Sequence, residues 1–318
     1  MNPLKPKALN PGDTLGVVAP ASRPTQPSTV RRGIRELQQM GFRVKTGVHL
    51  ADRYGYLAGT DTDRQADLEA AFLDPEIDGI VCVRGGYGCA RLLSTLNFDV
   101  IKANPKVFVG YSDITTLHLA FYRTAGLITF WGPMVASEMG KHFNAYNRER
   151  FEKAVMHTTP PGEIVNPSDA QPVQTLVSGR ASGTLIGGTL SLLTATIGTP
   201  YEVDLNGAIF FFEDIGEEPH RIDRMLTQLL LAGKLDHVAG IVVGECIACE
   251  SPPHHPAFPY GNFHLEEIIE DLLVPLGVPM VSGHCIGHGT YKATLPIGVM
   301  ATLDADRGVL IIDEAGVR

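Results

Sequence analysis

Short apolar runs of strand length alternate with segments of helical period through the first half of the chain, and several runs end in Gly, Pro or Ser turns. Asp13–Ala19 (DTLGVVA), Phe42–Thr46, Asp78–Arg84 (DGIVCVR), Val107–Val109 and Gly126–Trp131 (GLITFW) read as strands. Thr29–Met40, Thr62–Phe72, Ala90–Leu96 and the apolar-periodic segment running to Phe121 read as helices. This alternation indicates a parallel sheet with helices on its faces. In such sheets, sites lie beyond the carboxyl ends of the strands. The pattern then changes. His157–Pro172 (HTTPPGEIVNPSDAQP) carries prolines and polar residues without a period, which marks a linker. After it come short strands and Gly turns (Gln174–Gly179, Ser182–Gly188, Ala208–Phe212, Val238–Gly244, Pro279–Gly283, Thr294–Leu303, Val309–Asp313), with helices at Thr189–Ile197 and Pro219–Leu231. The chain therefore divides into an N-terminal parallel-sheet α/β domain (1–156), a linker (157–173) and a β-rich α+β domain (174–318).

A chain of 318 residues can bury a substantial core, and 44% hydrophobic with 19% charged residues describes an ordinary globular protein. The net charge of −9 argues against general nucleic-acid binding. No apolar run reaches membrane-spanning length, and no signal peptide is visible. Five cysteines do not make a disulfide framework in a chain this long. The expected setting is the cytoplasm, without a membrane partner.

Ser112 falls on the corner between a short buried strand and a helix, in Gly110-Tyr111-Ser112-Asp113. A serine there holds its Oγ clear of both elements, beside unpaired helix N–H groups that favour an oxyanion. It reads as a nucleophile, and the alternative is that Ser112 or Asp113 caps the helix. Arg84-Gly85-Gly86-Tyr87-Gly88 follows another buried strand, and its glycines let backbone N–H groups approach a ligand. It lacks the spacing of the phosphate-binding motifs. The loop is read either as an oxyanion donor beside Ser112 or as a plain turn. Phe210-Phe211-Phe212-Glu213 ends an apolar strand in a carboxylate able to orient a histidine, and Glu213 is preferred to Asp214, Glu217 and Glu218. Gly283–Gly289 reads as a loop holding His284 and His288, and His288, with a glycine on each side, is preferred as the base. The order serine, glutamate, histidine is that of α/β-hydrolases, yet Ile114 replaces the second glycine of their G-x-S-x-G elbow. Cys246-Ile-Ala-Cys249 with His254 and His255 has metal-ligand residue types. The spacing between its pairs is too short for common zinc patterns, so no metal is expected and the thiols read as a loop pair.

Together these motifs resemble the LD-carboxypeptidases, the serine peptidases that include muramoyltetrapeptide carboxypeptidase and the microcin C self-immunity protein. The resemblance runs from Gly12 almost to the C-terminus through GVVAPAS (Gly16–Ser22), GYLAGTDTDR (Gly55–Arg64), RGGYG (Arg84–Gly88), GYSDIT (Gly110–Thr115), EDIGEEPHRIDRML (Glu213–Leu226) and GHGTYKATLPIG (Gly287–Gly298). It implies an N-terminal α/β domain of the flavodoxin or class I glutamine amidotransferase kind and a β-rich C-terminal domain, with the site between them, generally in a homodimer. It also implies a Ser112, Glu213, His288 triad, with backbone N–H groups of Gly86 (Gly85 is the alternative) and Asp113 as oxyanion donors. No cofactor is implied. Two segments depart from the family pattern: HGPM reads Trp131-Gly-Pro-Met134, and GGNL reads Gly187-Gly-Thr189-Leu190. Neither departure is expected to touch the triad. Substrate contacts are expected from Arg84, Tyr87 and Trp131, with Arg84, Arg221 or Arg224 as the cation for a terminal carboxylate.

The implied activity is removal of D-Ala from murein tetrapeptide in peptidoglycan recycling, at a bond to an L-configured centre of diaminopimelate or lysine. An immunity-type peptidase acting on aminoacyl-nucleotide amides is the alternative, and it would need an aromatic platform. A non-catalytic peptide-binding module is the alternative of another class.

Overall fold

Five of the strands read from the first half align in one parallel sheet in the computed structural model, which describes residues 3–251 and 262–318. They are β1 (Thr14–Val18), β2 (Arg43–Thr46), β3 (Gly79–Cys82), β4 (Val107–Gly110) and β5 (Thr129–Trp131), in the order β5-β4-β3-β1-β2. Helices α1 (Pro27–Gln39), α2 (Asp61–Leu73), α3 (Phe98–Ala103), α4 (Thr115–Ala120) and α5 (Ala145–Val155) connect or follow them. Proline suits the first turn of α1, where its missing N–H costs nothing. A reciprocal Thr60–Asp63 capping box starts α2. Ala90–Leu96, read as a helix, is only a 3₁₀ turn over Cys89–Leu92.

The second half builds an eight-stranded sheet from β6 (Gly162–Ile164), β7 (Gln174–Val177), β8 (Arg180–Thr189), β9 (Ala208–Ile215), β10 (Gly240–Ile247), β11 (Met280–Gly287), β13 (Met300–Asp304) and β14 (Val309–Ile312). Its centre, β8-β9-β10-β11, is parallel, and the flanking pairs are antiparallel. Helices α6 (Leu190–Ala195), α7 (Pro219–Leu231) and α8 (Leu265–Leu273) belong to this half. Three sequence expectations change here. The segment read as a linker carries β6, an edge strand of the second sheet. Thr294–Leu303 is two strands, and β12 (Leu295–Ile297) leaves the second half to pair antiparallel with β5. The break falls at Gly298, whose φ of +95° and closeness to the Tyr122 ring exclude a side chain. Gly283–Gly287, read as loop, is the last part of β11.

Strand β9 explains how the halves meet. Its residues are buried from Ala208 to Asp214, as expected of a strand covered on both faces. Ile209 and Phe211 join the core shared with the first sheet, and Phe211 reaches Trp131 of β5 at 6.2 Å between ring centroids. Phe210 and Phe212 join the separate core under α7 and α8. Because side chains alternate along a strand, Glu213 follows Phe211 onto the face that meets the first sheet. Asp214 falls on the other face, where it accepts the Ser191 N–H at 2.8 Å.

Two buried histidines make this packing acid-sensitive. His118 of α4 donates from Nε2 to the Gly110 carbonyl (2.8 Å) and accepts the Thr129 hydroxyl at Nδ1 (2.9 Å), and burial lowers its pKa to about 4. His284 in β11 is buried with neither ring nitrogen partnered among the described residues, and burial alone lowers it to about 4. Both are neutral in the fold and titrate near 6.5 when unfolded. The unfolded chain thus takes up protons first. Their contribution is intact above pH ~6.5 and is lost as pH falls towards ~4, by ~3 kcal/mol for each. Denaturant titrations across that window should show the decline, and His284→Leu should roughly halve it, leaving the His118 share, without loss of stability at neutral pH. An equally steep decline in His284→Leu would contradict this assignment.

Candidate active site

The corner after β4 is strained and held from several sides. Ser112 has φ +64°, a left-handed conformation that a non-glycine residue adopts at a cost of ~1–3 kcal/mol. The Gly110 carbonyl, two residues earlier, accepts both the His118 Nε2–H and the Gly132 N–H (3.0 Å). Asp113 is buried and accepts the Cys89 N–H at 2.8 Å, tying the corner to the end of the Gly-rich loop, although burial pushes its pKa up. Neither short helical segment after the corner has a side-chain cap, so Ser112 is not spent on capping. A Cβ at Gly85 would lie 2.7 Å from the Ser112 Cβ; this glycine lets the two loops touch.

Two other motif segments hold the Gly-rich loop. The Ser22 N–H donates to the Gly85 carbonyl (3.4 Å), and the Tyr87 N–H donates to the Ser22 hydroxyl (3.2 Å). Gly86 has φ +118°, and a Cβ there would meet Ser22 Oγ at 2.4 Å. Beneath them the buried Arg64 donates from one nitrogen to the carbonyls of Pro20 and Gly88 (3.0 Å to the latter), and it pairs with Asp61. Arg64 thus satisfies two loop carbonyls that fold back from β1 and β3. Its motif was legible in the sequence, but its role was not.

Glu213 and His288 meet at the second sheet. Glu213 has no exposed surface, and its Oε2 accepts from His288 Nδ1 at 2.7 Å. Its Oε1 accepts the Thr189 hydroxyl at 2.5 Å, and Thr189 is linked to α4 through the Thr115 hydroxyl, which accepts the Thr189 N–H at 3.1 Å. The departure at Thr189 therefore does touch one of the three expected catalytic residues, Glu213, contrary to the sequence expectation. The His288 ring meets the Tyr111 ring edge-on at 4.9 Å. Below them Lys292 is fully buried, with Nζ donating to the Gly287 carbonyl, 3.7 Å from Glu138 and 3.8 Å above the Tyr111 ring. Tyr111 in turn donates to Glu138 at 2.8 Å. A buried ammonium needs such partners, and here they come from both halves of the chain.

Ser112 and His288 open on one cavity of ≈ 830 Å³, together with Arg84, Gly85, Gly86, Tyr111 and Glu138. With Nδ1 engaged by Glu213, His288 keeps Nε2 for a serine proton. Glycine N–H groups beside the serine can hold an oxyanion, an arrangement suited to acyl transfer. The other expectations divide. Arg84 lines the cavity; Arg221 and Arg224 do not. Tyr87 lies outside the lining, 55% exposed and edge-on to Tyr56 at 5.3 Å. Trp131 is fully buried between Tyr111 and Phe211, so it is a packing residue of the corner and not the expected substrate contact. Lys141 and His142 also line the cavity, and no motif pointed to them. Cys246 and Cys249 are described, whereas His254 and His255 lie outside the described residues. Among the described residues no helix is long and apolar enough to cross a membrane.

Comparison with known proteins agrees with this geometry. Residues 15–132 match the LD-carboxypeptidase N-terminal domain, and residues 182–303 match the LD-carboxypeptidase C-terminal domain. The chain is 41% identical over 314 residues to a probable murein peptide carboxypeptidase of Bacillus subtilis, covering 98% of this chain and 95% of that protein. It superposes on the microcin C7 self-immunity protein with a TM-score of 0.90 at 27% identity, covering 99% of this chain and 100% of the other. A muramoyltetrapeptide carboxypeptidase from Oxalobacter formigenes matches with a TM-score of 0.79 at 29% identity, covering 95% and 99%.

Thr189 supplies the hydroxyl that satisfies the buried Glu213 Oε1, and Val is its near-isostere without that donor. Thr189→Val should cost ~1–3 kcal/mol, the penalty for a buried acceptor left unpaired, measured by denaturant unfolding at neutral pH. Wild-type stability in this variant would show that Oε1 finds another donor.

Proposed function

The chain belongs to the LD-carboxypeptidase family of serine carboxypeptidase-type hydrolases, and we propose that it releases the terminal D-alanine of murein tetrapeptide. The scissile bond joins that D-alanine to an L-configured centre of diaminopimelate or lysine. The observation that carries this reading is the 2.7 Å Glu213–His288 hydrogen bond beside the left-handed Ser112 on a single cavity.

In the proposed mechanism His288 Nε2 takes the Ser112 proton as Oγ attacks the scissile carbonyl. The N–H groups of Gly86 and Asp113 hold the tetrahedral oxyanion. Glu213 fixes the imidazole tautomer and stabilises the imidazolium. His288 returns its proton to the leaving amine, D-alanine departs, and an acyl-enzyme remains on Ser112. A water, deprotonated by His288, then frees the serine. Arg84, in the cavity wall, is the cation for the substrate's terminal carboxylate, and Lys141 adds positive charge to the same wall. The proposed setting is peptidoglycan recycling in the cytoplasm by a homodimer. The likeness to the microcin immunity protein, which has been solved with aspartyl sulfamoyl adenosine, supports an aminoacyl-nucleotide amide as the alternative substrate. Burial of Trp131, the one tryptophan, leaves little aromatic surface for a base and favours the peptide.

Incubation with murein tetrapeptide and, separately, an aminoacyl-nucleotide amide should release D-alanine from the first alone. Ser112→Ala should lower turnover by about 10⁴-fold or more with the fold retained, and Glu213→Gln by about 10³–10⁴-fold. A folded Ser112→Ala protein that works as well as wild type would leave a binding module as the better description.

A further inference from the structure

Glu213 and His288 do not come from neighbouring strands. Glu213 lies near the end of β9, His288 follows β11, and β10 runs between the two. Adjacent strands are ~4.8 Å apart, which separates β9 from β11 by ~9.6 Å. The 2.7 Å hydrogen bond between Glu213 and His288 therefore passes across β10. Strand β10 makes way by a slip of register. Val243 stands opposite Phe212 and Cys246 opposite Asp214, so two residues, Gly244 and Glu245, face the single Glu213. A bulge of this kind re-aims the side chains it carries. Gly244 leaves the crossing bare: a Cβ there would lie 3.2 Å from the Glu213 Cβ and would overlap the Ile286 carbonyl oxygen. Glu245 stands opposite Gly287 of β11, and it reaches both glycines that flank His288. A Cβ at Gly287 would lie 2.7 Å from the Glu245 Cβ, and a Cβ at Gly289 would overlap both Glu245 carboxylate oxygens. Neither glycine is left-handed, so space and not backbone conformation excludes a side chain at either. Glu245 thus accounts for the glycine on each side of His288.

The same segment is pinned on either side of the histidine. Lys292 holds the Gly287 carbonyl, and the Asn144 and Asn147 side chains each donate to the Thr290 carbonyl at 3.1 Å. Between those pins Gly289 rests on the Glu245 carboxylate. Glu245 is half-buried and does not line the cavity. Its Oε2 is buried with no hydrogen-bond partner among the described residues. A buried oxygen without a donor costs stability, and its retention calls for a reason. We propose that Glu245 is a positioning residue for His288: its carboxylate packs against Gly289 and sets the Gly287–Gly289 segment so that the ring spans the β10 bulge to Glu213 with Nε2 towards Ser112. The proposal rests on the Ser112 chemistry proposed above. Glu245 acts by the space it fills, so a glutamine of the same shape serves in its place. Because it stands behind the cavity wall, it governs turnover and not substrate binding.

In the full-length protein, Glu245→Ala should lower kcat for D-alanine release by about tenfold or more, the scale of effect of a small misplacement in a site, with KM within about twofold of wild type. Glu245→Gln should keep kcat within about threefold of wild type. The rate at which a fluorophosphonate labels Ser112 should follow kcat in both variants. Wild-type kcat in Glu245→Ala, or a Glu245→Gln enzyme as slow as Glu245→Ala, would overturn the assignment. A raised KM at unchanged kcat would overturn it too, by making Glu245 a substrate contact. The packing is read apart from catalysis. Gly289→Ala should lower the denaturant midpoint of the wild-type protein and not that of Glu245→Ala, where the carboxylate it would displace is gone. Additive effects on the midpoint would overturn the contact. Absence of turnover and of Ser112 labelling in the wild-type protein would instead overturn the catalytic reading and the positioning role with it, while the midpoints still decide the packing.

Discussion

A carboxylate with no exposed surface survives at the end of an apolar strand only if both of its oxygens are used. Glu213 meets that condition with the Thr189 hydroxyl on one oxygen and the His288 ring on the other. Each partner is set by its own strand. Thr189 is the last residue of β8 and stands opposite Glu213 in register, whereas His288 directly follows the last residue of β11. The alternation along β9 decides which way the carboxylate faces. A one-residue slip would send Glu213 under α7 and α8 and bring Asp214 to the first sheet. The Phe210-Phe211-Phe212 run, packed on both faces, holds the register that orients His288.

The serine side is organised by a different constraint, namely strain. A left-handed serine persists only where its surroundings over-determine it. Here His118 and Gly132 hold the carbonyl before the corner, Asp113 ties the residue after it to Cys89, and Gly85 closes against its Cβ. Arg64 then locks the Gly-rich loop to the turn after β1. The corner is therefore rigid through contacts made within the first half alone. Register places His288, and strain places Ser112.

How far the sequence could be read follows from this division. The strands of the first half and its helices α1, α2 and α4 were legible because each buried run is local and bounded by a turn signal, whereas α3 and α5 went unread. Ser112, Glu213 and His288 were legible as candidates because each sits at the end of an apolar strand or between glycines. Thr189, Lys292, Arg64 and Glu138 were not, because their meaning lies in partners distant in sequence. Trp131 misled for the same reason. It was expected to touch substrate, yet β5 turns it inward against Phe211. The return of β12 to the first sheet was equally hidden, since Thr294–Leu303 reads as one continuous apolar strand and only the demand for a bare Cα at Gly298 breaks it.

Lys292 shows why the two halves have to be treated as one unit at the site. Its backbone N–H donates to Asn147 of α5 and its Nζ to the carbonyl just before His288, while its charge rests on the Tyr111 ring beside Ser112. One buried cation thus touches Tyr111, which precedes Ser112, and Gly287, which precedes His288. Water would screen such a charge if the cavity floor opened, and the cost of burying it would then have no return. The same ammonium that joins the halves therefore opposes their separation beside Ser112 and His288.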